Sequence, residues 1–180
     1  YDSITEFIRP QLCDLENILE NIENNRGDIA VNYAGACVVN VYIKRISNLL
    51  IMAKSRKMLN AFELENSIRE LAEYISAYGI SCSFFSNVSG EISAEKSIAI
   101  FKFIGEFIRL KMNCTDALLF NLKADNKFID LKINCDSKNE MKIPDDLLDD
   151  ITKLGGNVTA EYDGDTLFVF VCMQSGGDGI

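Results

Sequence analysis

Apolar residues recur every three or four positions along the first third of the chain, which is the period of an amphipathic helix. One such segment covers residues 3–25 and a second covers residues 29–54. Between them lie Gly27 and Asp28, residue types that end one helix and cap the next. The pattern therefore predicts a helical hairpin. Because one hairpin cannot bury both of its apolar faces, we expect a second copy to complete a dimeric four-helix bundle.

The remainder of the chain alternates between the helical period and the two-residue period of strands. Helical spacing predicts helices over residues 61–78, 94–112 and 145–154. Strand patterns cover residues 80–86, 117–123, 128–134, 158–162 and 166–171. Helices on one face of a mostly antiparallel sheet make a two-layer sandwich. The predicted class is therefore α+β, with a helical hairpin before the sandwich.

The helix over residues 94–112 is apolar on most of its surface, and its polar residues fall on one narrow line. They follow at spacings of four, three and four: Lys102, Glu106, Arg109 and Asn113. Such a helix is buried on most sides and opens along one stripe. The stripe is a candidate site, although a solvated helix edge with ion pairs between neighbouring turns has the same pattern.

Composition narrows the functions that the chain can have. Lys and Arg number 18 against 27 Asp and Glu, a net charge of -9, so the surface repels nucleic-acid phosphates. The chain has no histidine, which excludes mechanisms in which its own imidazole takes a proton, a phosphoryl group or a metal. The six cysteines form no C-x-x-C pair. We expect buried thiols in a reducing cytosol, with no disulfide or metal centre.

The start of the chain and its most apolar stretch bear on location. Tyr1 is not followed by a basic and then apolar leader, which is typical of a piece of a longer protein. A membrane span needs about 20 mostly apolar residues. The stretch over residues 29–53 is interrupted by Asn32, Asn40, Lys44 and Arg45. We therefore predict a cytoplasmic chain, or the cytoplasmic part of a longer protein whose membrane region lies upstream.

Residues 97–110, with the sequence SIAIFKFIGEFIRL, resemble a helix of bacterial sensor histidine kinases. In that family the helix carries a Glu and, four residues later, an Asn that holds magnesium. Glu106 matches the Glu, whereas Leu110 occupies the position of the Asn. Asn113 lies one turn further on and could substitute only if the helix slipped.

The strand at residues 129–134 resembles the strand that ends in the family's Asp-x-Gly, whose Asp contacts the adenine amino group. Here Cys135-Asp136-Ser137 follows, so the Asp is shifted by one residue or replaced by Cys135, and the Gly is absent. A one-residue shift turns a strand side chain to the opposite face. The family's second glycine-rich lid is replaced by DDLLDD at residues 145–150, whose four carboxylates would repel a triphosphate.

The N-terminal hairpin completes the resemblance. Residues 6–10, EFIRP, are similar to the segment that begins with the phosphoacceptor His, with Glu6 in the place of the His. Residues 42–50 resemble the second bundle helix of some of these kinases. The resemblance covers nearly the whole chain. It implies a dimerisation hairpin over residues 1–57 and a degenerate histidine kinase-like ATPase domain over residues 58–180.

Four parts expected of a histidine kinase are absent or displaced: the acceptor His, the magnesium Asn, the adenine Asp with its Gly, and the glycine-rich lid. We therefore predict a catalytically degenerate core with no catalytic residue, metal or cofactor, acting as a dimeric scaffold in two-component signalling. Its partners would be a second copy and the acidic receiver domain of a response regulator. The basic run from Lys44 to Lys57 could meet such a domain, or could be a solvated bundle face.

Two other interpretations stay open. In the first, the chain is an ATP-binding sensor histidine kinase with unusual ligands, in which Glu106 acts as base, Asn113 holds magnesium and Asp136 contacts adenine. Those three side chains should then converge on one cavity between the 94–112 helix and the acidic helix. In the second, the chain is a dimerisation domain without a signalling partner, which would bind no receiver domain.

Overall fold

The computed structural model describes residues 2–136 and 143–176. Its first two elements are the helices α1 (Asp2–Glu23) and α2 (Ile29–Ser55), which pack against each other. The chain turns between them through two residues with positive φ, Asn25 and Gly27. Asp28 then caps α2, because its carboxylate accepts hydrogen bonds from two amides of the first turn. The predicted helical hairpin is confirmed.

The sandwich follows the hairpin. In chain order its elements are β1 (Met58–Asn60), α3 (Ala61–Tyr78), β2 (Ser81–Val88), β3 (Glu91–Ser93), α4 (Ala94–Lys111), β4 (Ala117–Ala124), β5 (Phe128–Asp136), α5 (Asp145–Lys153), β6 (Asn157–Asp163) and β7 (Thr166–Gln174). A five-stranded sheet has the order β2-β4-β5-β7-β6. Only its β2–β4 pair is parallel, so the sheet is mostly antiparallel, as predicted. The α+β class is confirmed.

The short pair of β1 and β3 is an addition that the sequence pattern did not predict. The two strands are antiparallel, with Leu59 opposite Ile92, and each has three residues. Both of these side chains are buried. The pair leads directly into α3 on one side and α4 on the other, so it fixes where these two helices begin.

Alternate residues of the central strands are buried, which explains their two-residue apolar period. On β4 the buried residues are Leu118, Phe120, Leu122 and Ala124, and β5 and β7 continue the same face. Residues of α3 and α4 join them in one hydrophobic core. Tyr42, Ile46 and Leu49 of α2 belong to that core as well. The hairpin is therefore a third layer on the sandwich, and the division of the chain at residue 57 stays a prediction.

An ion-pair cluster holds α2 on α3. The Glu70 carboxylate accepts hydrogen bonds from Lys44 Nζ, at 2.7 Å, and from Arg45 Nε. Partial burial raises the pKa of this carboxyl, but the hydrogen bonds and charges of the two basic residues outweigh burial. The pKa of Glu70 therefore lies below its ordinary value. Lys44 and Arg45, the first two residues of the predicted basic run, therefore stabilise the packing of α2 on α3.

Glu70→Gln is expected to lower the free energy of unfolding by about 1 kcal/mol at neutral pH, the upper end for ion pairs that water screens. Because the folded-state pKa is depressed, the stabilisation is full above the ordinary pKa of glutamate. It disappears as pH falls through the lower folded-state value. Urea denaturation at a series of acidic pH values should show the two stability curves converging. Glu73→Gln, at an exposed position of the same helix, is the control, and a gap that persists in acid contradicts the prediction.

Helix α2 is long and apolar enough to cross a membrane when judged by length and composition alone. This is a weak indication, because the core helix of a soluble protein meets the same criterion. In the described fold the helix buries Ile46 and Leu49 in the core and places Lys44 and Arg45 in ion pairs. The structure therefore does not show a membrane span.

All six cysteines are free thiols in this structure. Their burial is less uniform than predicted. Cys135 is buried, but Cys13 and Cys37 are exposed on the hairpin. The expectation of buried thiols is wrong for these two, because each lies on the outward side of its helix.

Candidate functional site

Helix α4 is the centre of the candidate site. Ser93 caps the helix, and its hydroxyl accepts a hydrogen bond from the Lys96 amide at 3.5 Å. Phe103 and Phe107 lie on the buried side, with 6.5 Å between their ring centres. The predicted stripe is confirmed as the less buried line of the helix and of the turn that follows it: Lys102, Glu106, Arg109 and Asn113.

The stripe contacts α1. Three pairs form this contact, which we call the polar seam: Lys102 with Phe7, Glu106 with Gln11, and Arg109 with Asp14. The central link is the shortest, because Gln11 Nε2 donates to Glu106 Oε1 at 2.9 Å. Spacings of four and then three residues occur on both helices, so α1 and α4 run parallel. The stripe therefore forms an interface between α1 and α4, and it is also the less buried edge of α4.

A close approach of α2 to α4 lies next to the polar seam. A Cβ atom added to Gly105 would lie 2.1 Å from Cε2 of Tyr42, so only glycine leaves room for this ring. Tyr42 is 5% exposed, and its ring stacks on Phe101 with 5.4 Å between centres. The hairpin is thus fitted onto the side of α4 that carries Gly105 and Glu106.

A cavity of about 360 Å³ lies beside the polar seam, among α1, α2, α3 and α4. Glu106 and Asn113 both line it, so the structure brings together two of the three predicted site residues. Asp136 does not line this cavity, and neither does any described residue of the acidic helix α5. In the described part of the chain the three residues do not converge on this cavity.

Asp136 instead joins the end of β5 to the start of β4. Its Oδ1 accepts hydrogen bonds from the Thr115 hydroxyl at 2.5 Å and from the amides of Asp116 and Ala117 at 2.9 and 2.8 Å. Carboxylates that accept backbone amides stabilise a chain turn in the way that a helix cap does. In this geometry the Asp136 side chain links the ends of the two strands.

Comparison with known proteins identifies the fold. No family model matches the chain, and no curated protein matches it. Among solved structures, the histidine kinase domain of the Erythrobacter litoralis EL346 blue-light activated histidine kinase is 10% identical, with a TM-score of 0.54. The alignment covers 97% of this chain and 95% of that one. The chain has the fold of a histidine kinase core.

Two further solved structures are similar to this chain. The Acinetobacter baumannii histidine kinase AdeS is 11% identical, with a TM-score of 0.50 over 93% of this chain and 96% of that one. A bacterial phosphotransferase is 10% identical, with a TM-score of 0.53 over 93% of this chain and 91% of that one. Because the alignments span hairpin and sandwich together, the resemblance inferred from the sequence is confirmed for the fold.

The charges of the cavity do not fit magnesium-ATP, the ligand that the histidine kinase resemblance implies. Its charged lining residues are Asp14, Glu106 and Arg109, two carboxylates against one guanidinium. Arg109 is already engaged, with Nε 3.2 Å from Glu106 Oε2 and Nη1 3.8 Å from Asp14 Oδ2. A lining of net negative charge repels a triphosphate. Within residues 2–136 and 143–176, no group of three or more acidic or cysteine side chains is placed to hold a metal ion.

The acidic helix of this histidine kinase fold, α5, packs against α4. Asp150 Oδ2 lies 2.5 Å from Lys102 Nζ, so one of its carboxylates meets a base. Ile151 of α5 is fully buried, so this acidic helix is not exposed on every side. Ser137, which follows the shifted Asp, lies outside the described residues.

Sequence reasoning missed the residues that α1 contributes to the site. The signal that could have found them is the matched spacing on the two helices, four and then three residues, in Phe7, Gln11, Asp14 and in Lys102, Glu106, Arg109. Many helix pairs share such a spacing, so it gains meaning only when the fold places α1 beside α4.

Proposed function

We propose that the chain is a signal-transduction module of the histidine kinase type that has lost catalysis and acts as a dimeric scaffold. The fold supports the signalling class, and the replaced motif positions support the loss of chemistry. Phosphoryl transfer depends on positioned metal ions and cationic groups around the phosphates. The stripe of α4 carries one carboxylate, Glu106, and two cationic groups that are already paired. Lys102 pairs with Asp150, and Arg109 pairs with Glu106 and Asp14.

The observation that carries this proposal is the packing of the hairpin on the Glu106 side of α4. Gln11 donates to Glu106, and the Tyr42 ring occupies the space above Gly105. A nucleotide that used Glu106 would need the hairpin to move away. This movement of the hairpin would expose residues such as Tyr42 and Leu49, which are buried in the core.

Magnesium-ATP is expected neither to bind at micromolar concentrations nor to label the protein. Isothermal titration with a nonhydrolysable analogue measures the first property, and incorporation of the γ-phosphate from labelled ATP measures the second. An active sensor histidine kinase treated in parallel is the control. Micromolar binding together with autophosphorylation would overturn the scaffold proposal.

The alternative is an ATP-binding sensor histidine kinase with unusual ligands. One observation favours it, namely that Glu106 and Asn113 line the same cavity. If it is correct, Asn113→Ala should abolish magnesium-ATP binding and Glu106→Gln should abolish phosphoryl transfer, while both proteins stay folded. The scaffold proposal expects no nucleotide binding in either protein.

The dimer proposed for the hairpin is supported by apolar residues of α1 that a single chain leaves incompletely buried. They follow at heptad spacing: Leu12, Leu15, Leu19 and Ile22. Leu19 is 45% exposed, although it belongs to this apolar stripe. A second copy would bury the stripe in a four-helix bundle.

Leu19→Asp is expected to weaken the dimer by about tenfold to a hundredfold, because a charge replaces a leucine that the second copy would bury. Since Leu19 is exposed in one chain, the monomer fold should be retained. Analytical ultracentrifugation over a dilution series measures the change. Cys13→Asp adds the same charge at an exposed position on the polar side of α1 and serves as the control. Equal dimerisation of both variants contradicts the proposed interface.

A response-regulator receiver domain is the second proposed partner, and the cytoplasm the proposed location. Fewer residues of the basic run are available to this partner, because Lys44 and Arg45 pair with Glu70. Lys54, Arg56 and Lys57 remain exposed at the end of the hairpin and could meet an acidic surface. Titration with purified receiver domains separates the scaffold from a dimerisation domain that has no signalling partner.

A further inference from the structure

Strand β2 forms one edge of the five-stranded sheet, because the described strands follow in the order β2-β4-β5-β7-β6 and β4 is its one neighbour. The Ser81 amide donates to the carbonyl of Asp116, just before β4, at 2.9 Å. The parallel pairing continues residue by residue to Val88, so the odd-numbered residues of β2 bond to β4. Backbone groups of successive residues point to opposite sides of a strand. Those of Phe84, Ser86 and Val88 therefore point away from β4.

A side chain of α3 reaches the outer side of β2 at the start of the strand, where the Ser76 hydroxyl donates to the Cys82 carbonyl at 3.1 Å. Beyond this point, no strand within residues 2–136 and 143–176 pairs with the outer side of β2. We call residues 84–88 the open edge, because the N–H and C=O groups of Phe84, Ser86 and Val88 face outward there. Such a row of unpaired backbone groups is a template for another strand.

Strand β2 lacks the features with which proteins usually protect a sheet edge, namely charged side chains, proline, bulges or a very short strand. It has eight residues, SCSFFSNV, in an uninterrupted register with β4, and none of them is charged or proline. The strand at the opposite edge, β6, carries Glu161 and Asp163. On the outer face of β2, Phe85 is 61% exposed. The contrast between the two edges indicates that the open edge is available for pairing.

The charges around the open edge permit the approach of a second copy. The net charge of -9 makes two chains repel one another over most of their surfaces. Two charged side chains of α3 contact β2. Glu65 Oε1 accepts from the Ser86 hydroxyl at 2.6 Å, and the Arg69 guanidinium lies 5.2 Å from the centre of the Phe84 ring. Glu65 and Arg69 also pair with each other at 2.5 Å, so their charges cancel beside the uncharged strand.

We propose that β2 pairs in antiparallel orientation with β2 of a second copy about a two-fold axis, which joins the two sheets. The open edge is self-complementary, because the same backbone groups face outward in both copies. With Phe85 opposite its counterpart, Phe84 and Ser86 of one copy exchange backbone hydrogen bonds with Ser86 and Phe84 of the other. The two exposed Phe85 rings then cover each other as a cross-strand pair. Backbone hydrogen bonds supply the affinity, and the Phe85 pair sets the register.

The open edge and the apolar stripe of the hairpin that contains Leu19 are different surfaces. Edge pairing therefore does not rest on the scaffold role or on the hairpin dimer. A chain with two such two-fold interfaces links dimers into larger assemblies. Because a single pair of strands buries little surface, edge pairing is the weaker contact. Hairpin dimers would accordingly be joined through their sheets only at high protein concentration.

The test uses the Leu19→Asp chain, so that edge pairing is measured apart from the hairpin dimer. Analytical ultracentrifugation at high micromolar concentration should show that this chain still self-associates. Adding Phe85→Lys is expected to weaken the association by about tenfold or more, because the two-fold axis brings two lysines together. Phe168→Lys makes the same change on the same face of the sheet, at a 42% exposed position of the inner strand β7, and is the control.

Hydrogen exchange resolved by residue gives a second readout, which reports on the backbone. In dilute solution the outward amides of Phe84 and Ser86 should exchange rapidly. At high concentration their exchange should slow severalfold, and Phe85→Lys should remove this slowing.

Edge pairing is refuted if the Leu19→Asp chain stays monomeric, or if Phe85→Lys and Phe168→Lys associate equally. It is also refuted if the chain associates while the amides of Phe84 and Ser86 exchange as fast as before. Failure of the hairpin dimer gives a different result, because Leu19→Asp would then leave the association of the parent unchanged.

Discussion

Gly105→Ala is expected to lower the free energy of unfolding by about 3 kcal/mol, the upper end for an overpacked core position. The added methyl group would lie 2.1 Å from a Tyr42 ring carbon, far inside van der Waals contact. The ring cannot turn aside easily, because it is buried and stacks on Phe101. Alanine is the better helix former, so the loss would come from this contact and not from α4 itself.

Urea denaturation measures the loss, and hydrogen exchange should show the largest change in amides of α2. Gly35→Ala is the matched control, because it lies within α2 and its added Cβ would meet Tyr78 at an ordinary 3.6 Å. That variant is expected to gain up to about 1 kcal/mol from helix propensity. Equal stability changes in the two variants would show that Tyr42 does not lock the hairpin onto α4.

A double-mutant cycle separates the contact from other effects. Tyr42→Ala removes the ring, so adding Gly105→Ala to it should cost little or even stabilise. A coupling energy of about 2 kcal/mol or more is expected between the two positions. Additive effects would place the cost of Gly105→Ala elsewhere on α4.

Much of the fold follows from local patterns. The long helices and the central strands bury residues at the periods that the sequence displays, as Leu118, Phe120 and Leu122 illustrate. The pair of β1 and β3 could not be predicted in this way. Three residues are too few to establish a period, and Leu59 finds its partner Ile92 far along the chain. Long-range pairing of short segments leaves little trace in local sequence.

The candidate site was predictable in part for the same reason. Glu106 and Asn113 are seven residues apart, so the helical period alone places them on one side. The helical period does not predict which residues pack against that side of α4. The contacts of Gln11 and Tyr42 depend on how the hairpin lies on α4, which is a long-range property of the fold.

Asp136→Ala is expected to lower the free energy of unfolding by about 3 kcal/mol, because it leaves two backbone amides without their carboxylate acceptor. The amides of Asp116 and Ala117 would lose their acceptor where β4 begins beside the end of β5. The Thr115 hydroxyl can still donate to the carbonyl oxygens of Asp136 and Ala117. In the alternative interpretation of the sequence, Asp136 contacts adenine. The expected loss of stability instead follows from the contact that the Asp136 side chain makes between β5 and the start of β4.

Asp136→Asn decides between these two roles. Its amide oxygen can still accept the backbone hydrogen bonds, so less than half of the loss is expected. Asp125→Ala is the control, because that carboxylate also accepts two backbone amides but lies in the exposed β4–β5 turn, where water replaces it. Denaturation of all three variants measures the order of stabilities. The opposite result is that the parent binds magnesium-ATP, and that Asp136→Ala removes this binding and leaves stability unchanged. Asp136 would then belong to a nucleotide site, and its hydrogen bonds to Thr115, Asp116 and Ala117 would contribute little to the fold.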